Sequence, residues 1–230
     1  MNHLRRIYLV LTKLYGPQGW WPLLNTGSLQ GYHLGDYSYP KNQVQRFEIC
    51  VGAILAQNTS WVNVEKALRN LYLQKLLRPA VLCAADNGLI AQSIHPTGYF
   101  NQKTRKLKEF SRFYSSLCGQ IPSRESLLNI WGIGPETADS ILLYAYKIPT
   151  FVVDAYTRRI FSQLGMIGAT ESYDSIKHFF ESSLEPSTEI YQEYHALIVE
   201  HAKRYYEKKH TRNACPLKRF FTVSPIGDAV

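Results

Sequence analysis

Cysteine is scarce in this chain: its 230 residues include four, and no two of them form a CxxC pair. Structural zinc sites and iron–sulfur clusters are held by closely grouped cysteines, so these spacings encode neither kind of site. Widely scattered cysteines in a chain of this length are also atypical of a disulfide framework, and they favour a reducing, intracellular compartment.

Long apolar runs are lacking as well. No stretch approaches the ~20 consecutive apolar residues that a membrane span needs. The N-terminal stretch contains Arg5, Arg6 and Lys13 and is too polar for a signal peptide. We therefore expect a cytoplasmic protein without a membrane partner.

Acidic residues are outnumbered: 18 Asp and Glu stand against 26 Lys and Arg, which gives a formal net charge of +8. A basic balance of this size favours a polyanionic partner, either nucleic acid or an acidic membrane surface. A solvated basic surface with no such partner is the alternative that charge alone leaves open.

Strand patterns are almost absent, and residues 150–153 (TFVV) form the one short strand-like segment. Elsewhere apolar residues recur with the helical period. The first helix shows this pattern in Leu4, Ile7, Leu11 and Leu14. Residues 47–57 are apolar on nearly every side, which predicts a buried central helix. The sequence therefore predicts an all-α protein.

The stretch IWGIGPETADSILLYA, residues 130–145, combines two glycines and a proline with a helical pattern. Gly132 and Gly134 allow a tight turn, and Pro135 fits the first position of a helix, where its missing N–H is not needed. Such a helix start presents backbone N–H groups to an anion, and glycine lets a phosphate approach closely. The alternative is a plain helical hairpin in which the glycines only permit close helix crossing.

Basic residues on both sides of this turn favour the phosphate interpretation. They are Lys103, Arg105, Lys106, Lys108 and Arg112 before it, Arg158 and Arg159 after it, and Lys203, Arg204, Lys208, Lys209, Arg212, Lys218 and Arg219 near the C-terminus.

The segment LNIWGIGPETADSILLYAYKIPTFVVDAYTRRI resembles the helix–hairpin–helix, Gly/Pro-rich loop and aspartate of the endonuclease III superfamily of DNA glycosylases. LAQNT at 55–59 and GYFNQKTRKL at 98–107 resemble further motifs of that family. The resemblance implies two helical lobes with a cleft between them that holds a flipped base. We expect one lobe at residues 36–147, with the helix–hairpin–helix at about 123–146, and a second that combines residues 1–35 with 148–230.

Two departures from the family pattern indicate the subtype. Glu136 occupies a position that is a lysine in the bifunctional members, and a carboxylate cannot form an imine with the sugar. Only Cys215 lies where many relatives carry four cysteines that bind an iron–sulfur cluster, so the cluster is expected to be absent. Both departures resemble the MagIII branch of 3-methyladenine DNA glycosylases.

Resemblance to the MagIII branch implies roles for particular residues. The base pocket is expected to be lined by Trp20, Trp21, Pro22, Phe47 and Glu136, although adjacent tryptophans are otherwise typical of a core. The expected DNA-binding residues are Gln57, Asn58, Gly132, Gly134, Thr137 and Arg158. Lys203 falls where the branch carries a lysine that fixes the C-terminal segment and can be carbamylated, which requires a buried lysine with a lowered pKa. No metal or cofactor is expected, and a monovalent ion at the hairpin stays open.

Asp154 is the candidate catalytic residue. Hydrolysis of an N-glycosidic bond passes through an oxocarbenium-like sugar, which an ionised carboxylate stabilises while it orients or deprotonates water. Aspartate is also a preferred helix cap, and one side chain can serve both roles. A 3-methyladenine base is already cationic, so it leaves without a general acid, and aromatic faces select it by stacking and cation–π contact.

We therefore predict a monofunctional glycosylase, a monomer, that releases alkylated purines and especially 3-methyladenine from double-stranded DNA in base excision repair. One alternative is a bifunctional glycosylase and AP lyase for oxidised pyrimidines or mismatches, in which another lysine replaces the one absent at Glu136. The other is a non-catalytic helix–hairpin–helix DNA-binding protein, which has no need of the Asp154 carboxylate.

Overall fold

The computed structural model describes residues 2–24, 31–207 and 213–220. Within these residues the protein is all-helical, as predicted, and residues 150–153 belong to no helix or strand. The helices are α1 (His3–Tyr15), α2 (Gln43–Leu55), α3 (Trp61–Leu73), α4 (Pro79–Ala84), α5 (Asn87–Ile94), α6 (Phe100–Ser116), α7 (Arg124–Leu128), α8 (Pro135–Ser140), α9 (Ala155–Gln163), α10 (Tyr173–Ser183) and α11 (Thr188–Tyr205). Short 3₁₀ turns lie at His95–Thr97 and Pro216–Phe220, and a π-helical segment, Ile141–Ala145, extends α8. None of the described helices is both long enough and apolar enough to span a bilayer.

The larger compact unit comprises residues 19–150 and contains α2 to α8. Its central helix is α2, in which every residue from 47 to 55 is buried. This burial confirms the central helix predicted from apolar residues on all its faces. α3, α6 and the π-helical segment pack against α2, and α5 packs on α3 and α6.

The smaller unit combines residues 1–18 with 151–230 and contains α1, α9, α10 and α11. α1 and α9 both pack on α11. Leu4, Ile7 and Leu11 form the buried face of α1, as predicted. Leu14, in the last turn of α1, is 48% exposed and does not extend this face. The aromatic core includes Phe151, which stacks on Phe180 at a ring separation of 4.1 Å.

The unit boundaries differ from those that the sequence predicted. Residues 19–35 belong with the larger unit, so the first boundary follows residue 18 and not residue 35, and the second follows residue 150 and not 147. The physical reason is local packing. The indole of Trp21 lies against Gly52 of α2, where a Cβ atom would stand 3.0 Å from Nε1, and the Leu24 N–H donates to Glu48 at 2.7 Å. The predicted cleft between the lobes stays a prediction.

Candidate functional site

The two glycines of the hairpin between α7 and α8 are needed for different reasons. Gly132 has a φ of +81°, and a Cβ atom there would come within 2.5 Å of the Lys106 side chain. Gly134 has an ordinary φ of −95°, and nothing lies within 4 Å of the position its Cβ would take. The fold therefore requires glycine at 132, whereas at 134 the missing side chain leaves open space at the start of a helix.

The start of α8 is uncovered. Gly134 is its N-cap and Pro135 its first residue, and no side chain of the described part of the chain caps it by a hydrogen bond. Glu136 is exposed in the first turn. Because the positive end of a helix attracts anions and glycine offers no steric obstacle, this geometry suits a phosphate oxygen.

Gln57 braces the hairpin from the end of α2. Its Nε2 donates to the Gly132 carbonyl at 3.1 Å and to the Thr137 hydroxyl at 2.9 Å, and its Oε1 accepts from Lys106 Nζ. The family resemblance assigns Gln57 and Thr137 to DNA binding, which stays a prediction; in the structure the two side chains bond to each other. Asn58, the next residue, is exposed and has a φ of +54°.

The basic residues around the hairpin are not equivalent. Lys103 was predicted to face phosphate, but it is only 2% exposed, and its Nζ donates to the carbonyls of Leu55 and Thr97 at 2.9 and 2.8 Å. Burial, with a smaller contribution from Lys106, lowers the pKa of Lys103 to about 8. Lys103 therefore ties the end of α2 to the turn before α6.

Arg105 and Arg158 have defined positions. The Arg105 guanidinium lies over the exposed Trp131 ring, 3.9 Å from its centroid, beside the hairpin. Arg158 donates from Nη1 to the Glu171 carbonyl at 2.7 Å, so part of its hydrogen-bonding capacity serves the protein itself.

Trp20 and Trp21 belong to an aromatic cluster that also contains Trp61 and Tyr144. Trp21 is buried and meets Trp61 and Tyr144 edge to face, at 5.2 and 5.1 Å between ring centroids. Trp20 is half-buried and stacks on Trp61 at 6.3 Å. The buried indole Nε1 atoms of Trp21 and Trp61 have no hydrogen-bond partner among the described residues. Sequence reasoning treated Trp61 and Tyr144 only as parts of helix faces.

The predicted base pocket is only partly assembled. Pro22 is buried next to Trp21. Phe47 has no exposed surface and packs edge to face against Tyr114 at 5.0 Å, which places it in the core. Glu136 is exposed at the start of α8. The structure therefore brings the tryptophans and the proline together, and it places Phe47 in the core and Glu136 at the start of α8. The pocket roles of Phe47 and Glu136 stay predictions.

Glu48, which the sequence did not single out, is a buried carboxylate near this cluster. It is 3% exposed, and its Oε1 accepts the Leu24 N–H at 2.7 Å. Burial raises the pKa of Glu48 to about 7, and the bond from Leu24 opposes this only in part. Its side chain fixes the chain just after the tryptophan pair.

Asp154 caps α9 in the smaller unit. Its Oδ1 accepts from the Thr157 N–H at 2.7 Å and from the Thr157 hydroxyl at 2.8 Å, while Oδ2 lies 3.5 Å from His195 Nε2. Burial acts to raise the pKa of Asp154, but His195 and Thr157 together outweigh it and hold the pKa below its ordinary value. Asp154 is thus both a helix cap and a buried, ionised carboxylate.

His195 is the neighbour of Asp154 that sequence reasoning missed. It is 5% exposed, on α11 among buried apolar residues. A polar residue on the buried face of a helix pattern is the one signal that the sequence offered.

The C-terminal segment makes contacts that the sequence did not predict. Lys203 is exposed near the end of α11, and its carbamylation and its role in fixing the C-terminal segment stay predictions. Cys215 Sγ lies 3.2 Å from His201 Nε2 and 3.4 Å from the Tyr206 hydroxyl. Burial lowers the pKa of His201 to about 4.

Several basic residues of this region carry no structural description. Lys208, Lys209 and Arg212 lie outside the described residues, as does the side chain of Arg219. Across the part of the chain that is described, no three His, Cys, Asp or Glu side chains are grouped so as to hold a metal ion.

Comparison with known proteins places this geometry in a family. Residues 51–186 match the family described as HhH-GPD superfamily base excision DNA repair protein. The chain is 42% identical over 226 residues, 94% of each chain, to a protein of Methanocaldococcus jannaschii named as an inferred DNA repair glycosylase. It is 30% identical over 133 residues to endonuclease III of Thermotoga maritima, covering 56% of this chain and 62% of that one.

Solved structures show the same fold. The H. pylori 3-methyladenine DNA glycosylase MagIII, bound to 1,N6-ethenoadenine, superimposes with a TM-score of 0.65 at 26% identity, over 87% of this chain and 97% of that one. A non-covalent endonuclease III–DNA complex matches with a TM-score of 0.73 at 19% identity, over 96% of each chain. The family match covers more than half of the chain and includes the hairpin and Asp154, so the chain belongs to the HhH-GPD superfamily of base excision DNA repair proteins.

Proposed function

We propose that the protein is a monofunctional DNA glycosylase that hydrolyses the N-glycosidic bond of alkylated purines, above all 3-methyladenine, in double-stranded DNA. The observation that carries this proposal is Asp154: a buried carboxylate with a lowered pKa, held by Thr157 and His195. A DNA-binding module has no use for such a group, whereas glycosidic hydrolysis requires a negative charge beside the developing sugar cation.

The two oxygens of Asp154 have different tasks in this proposal. Oδ1 is occupied by the two bonds from Thr157, which fix the orientation of the carboxylate. Oδ2 faces His195 at 3.5 Å and is the oxygen left to stabilise positive charge at the sugar C1′ and to accept a proton from the attacking water. A low pKa keeps the group ionised at neutral pH, as this chemistry needs.

Glu136 supports the monofunctional assignment. A lyase of this family attacks C1′ with a lysine amine. The carboxylate of Glu136 contains no nitrogen and therefore cannot form an imine. Water is then the nucleophile. A cationic 3-methyladenine leaves as a neutral base, so the reaction does not need a general acid.

The aromatic cluster supports an alkylated purine as the substrate. We assign the role of stacking on the base to Trp20, the half-buried member, which contacts Trp21 and Trp61. An electron-rich face favours a cationic base by ~0.5–2 kcal/mol. The likeness to MagIII, whose structure holds an ethenoadenine, points to the same class of base.

The hairpin supports a DNA backbone as the partner. Gly134 leaves open space at the start of α8, no side chain of the described residues caps that helix start by a hydrogen bond, and Gln57 bonds to the Gly132 carbonyl beside it, so a phosphate oxygen can approach the helix start. The protein is proposed to act on this DNA as a monomer.

The test is base release from three duplexes: methylated DNA, DNA with an oxidised pyrimidine, and undamaged DNA. Released bases are separated by chromatography, and a parallel sample with an abasic site is reduced with borohydride. We expect 3-methyladenine from the first duplex only, with no covalent adduct and no strand nicking. Release of the oxidised pyrimidine together with a trapped adduct would establish the lyase alternative instead. Binding without release from any duplex would leave the non-catalytic alternative.

A further inference from the structure

A pocket lies between α5 and α6 in the larger unit, away from the aromatic cluster. Its volume is about 470 Å³, which suits a group of nucleotide size. The first turn of α5 contributes Asn87 and Gly88, and α6 contributes Asn101, Thr104 and the charged residues described below. We call it the α5–α6 pocket.

Positive charge dominates this pocket. Arg105, Lys108 and Arg112 line it from one face of α6, against a single carboxylate, Glu109. Glu109 is paired with Arg112 at 3.3 Å, so it neutralises only one of the three cations. The stacking of Arg105 on Trp131 connects this face of α6 to the hairpin.

Thr104 supplies an independent sign that the pocket takes a ligand. It lines the pocket, is 4% exposed, and its buried hydroxyl has no hydrogen-bond partner among the described residues. The other helical hydroxyls of α6 behave differently. Ser111 and Ser115 each donate to the carbonyl four residues earlier, at 2.7 and 2.9 Å. An unsatisfied buried hydroxyl is unusual, and a ligand oxygen would satisfy it.

We infer that the α5–α6 pocket binds a nucleotide phosphate, held by Lys108 and Arg105 with the Thr104 hydroxyl as a hydrogen-bond donor. The preferred ligand is a phosphate of the DNA strand that passes the hairpin, and this choice rests on the proposed function. A free mononucleotide carries the same chemistry and is the second source. The Asp86 carboxylate caps α5 by accepting from the Leu89 N–H and would repel an anion placed at that helix start. The phosphate is therefore expected to bind the cations of α6.

The first measurement is affinity for an undamaged duplex as a function of salt. Each phosphate contact contributes ~0.9 to the slope of log affinity against log salt. We expect Lys108→Gln to reduce this slope by about one, whereas Lys66→Gln, the same change at an exposed position of α3 outside the pocket, leaves it unchanged.

Substitutions at Thr104 distinguish a specific phosphate site from general electrostatic attraction. Thr104→Val removes the hydroxyl and keeps the shape and charge, so we expect binding to weaken by about threefold to tenfold at an unchanged salt slope. Thr104→Ser keeps the hydroxyl and is expected to bind like the wild type. Thermal melting of both variants verifies that they are folded.

Titration with deoxyadenosine monophosphate, followed by NMR of the Thr104 and Gly88 amides, distinguishes the sources. Saturable shifts that Thr104→Val abolishes, without any change in DNA affinity, would assign the pocket to a free nucleotide. If Thr104→Val and Lys108→Gln both match Lys66→Gln and the titration causes no shift, the inference is overturned. Base release from methylated DNA is measured separately at saturating enzyme concentration. If wild-type enzyme releases the base but the pocket tests fail, the inference about the pocket is overturned while the proposed function stands.

Discussion

Asp154 and Glu48 are both buried carboxylates, one in each compact unit, but their pKa values move in opposite directions. The pKa of Asp154 lies below its ordinary value although burial alone would raise it. Burial raises the pKa of Glu48 to about 7. The difference lies in their donors. Asp154 receives two bonds from Thr157 and faces His195, whereas Glu48 receives one bond from the Leu24 N–H.

This comparison teaches that hydrogen-bond donors, not burial, decide which carboxylate is ionised. Asp154 also stands at the start of α9, where the helix dipole favours negative charge, whereas Glu48 lies inside α2. Asp154 is therefore held as an anion, as its proposed role requires. Glu48 is close to half-protonated at neutral pH and serves to hold the chain after Trp21.

The largest expected effect comes from removing the negative charge of Asp154. Asp154→Asn removes the charge but keeps a side chain that caps helices well, so the fold and DNA affinity should persist. We expect single-turnover release of 3-methyladenine to fall by about 10²- to 10⁴-fold. Melting temperature and binding of undamaged duplex serve as controls. Turnover within tenfold of the wild type would remove Asp154 from the reaction.

The second prediction concerns Glu48 and stability. Its folded-state pKa is raised, so the free energy of unfolding is highest below the ordinary pKa, near 4.5, and decreases as pH rises to about 7. At ~1.4 kcal/mol per pKa unit this loss is on the order of 3 kcal/mol. In Glu48→Gln the loss should disappear, since the amide oxygen still accepts from Leu24. Denaturant unfolding at pH 4.5 and 7.5 measures it, with the exposed Glu125→Gln as the matched control. Equal pH dependence in wild type and Glu48→Gln would contradict the assignment.

The third prediction extends the comparison to the two helix starts, since α9 begins at a carboxylate and α8 at a glycine without a side-chain cap. Gly132→Ala meets both an unfavourable φ and the Lys106 side chain and should lower the free energy of unfolding by roughly 1–3 kcal/mol. Gly134→Ala meets open space and should fold normally but bind DNA more weakly. Unfolding curves and duplex affinity for the pair distinguish the two roles. Identical stability losses would argue against them.

The smallest expected effect concerns the donors of Asp154. Thr157→Val deletes the hydroxyl bond but keeps the backbone N–H, so the pKa of Asp154 should rise part of the way toward its ordinary value. NMR titration of the Asp154 carboxyl carbon measures this shift, and Thr157→Ser, which retains the donor, should titrate like the wild type. An unchanged titration in Thr157→Val would assign the low pKa to His195 and the helix start alone.

Much of the fold and part of the site could be predicted from the sequence. The helical period, the turn at Gly132 and the cap at Asp154 depend on residues close together in the chain, and such local signals survive without knowledge of the tertiary structure. Even the central position of α2 followed from its continuous apolar surface.

What only the tertiary structure decided involves residues far apart in the sequence. Gln57 bonds to Thr137 across 80 positions, Lys103 donates to Leu55 across 48, and Trp21 packs on Tyr144. The family resemblance assigned Gln57 to DNA binding, and its basic side chain near the hairpin suggested the same for Lys103, but neither signal reveals a partner that is distant in the sequence. Whether a polar group finds a buried partner depends on how distant segments pack. The sequence by itself therefore determined the helices and the helix cap at Asp154, whereas packing placed His195 beside Asp154 and gave Gln57 and Lys103 their partners within the protein.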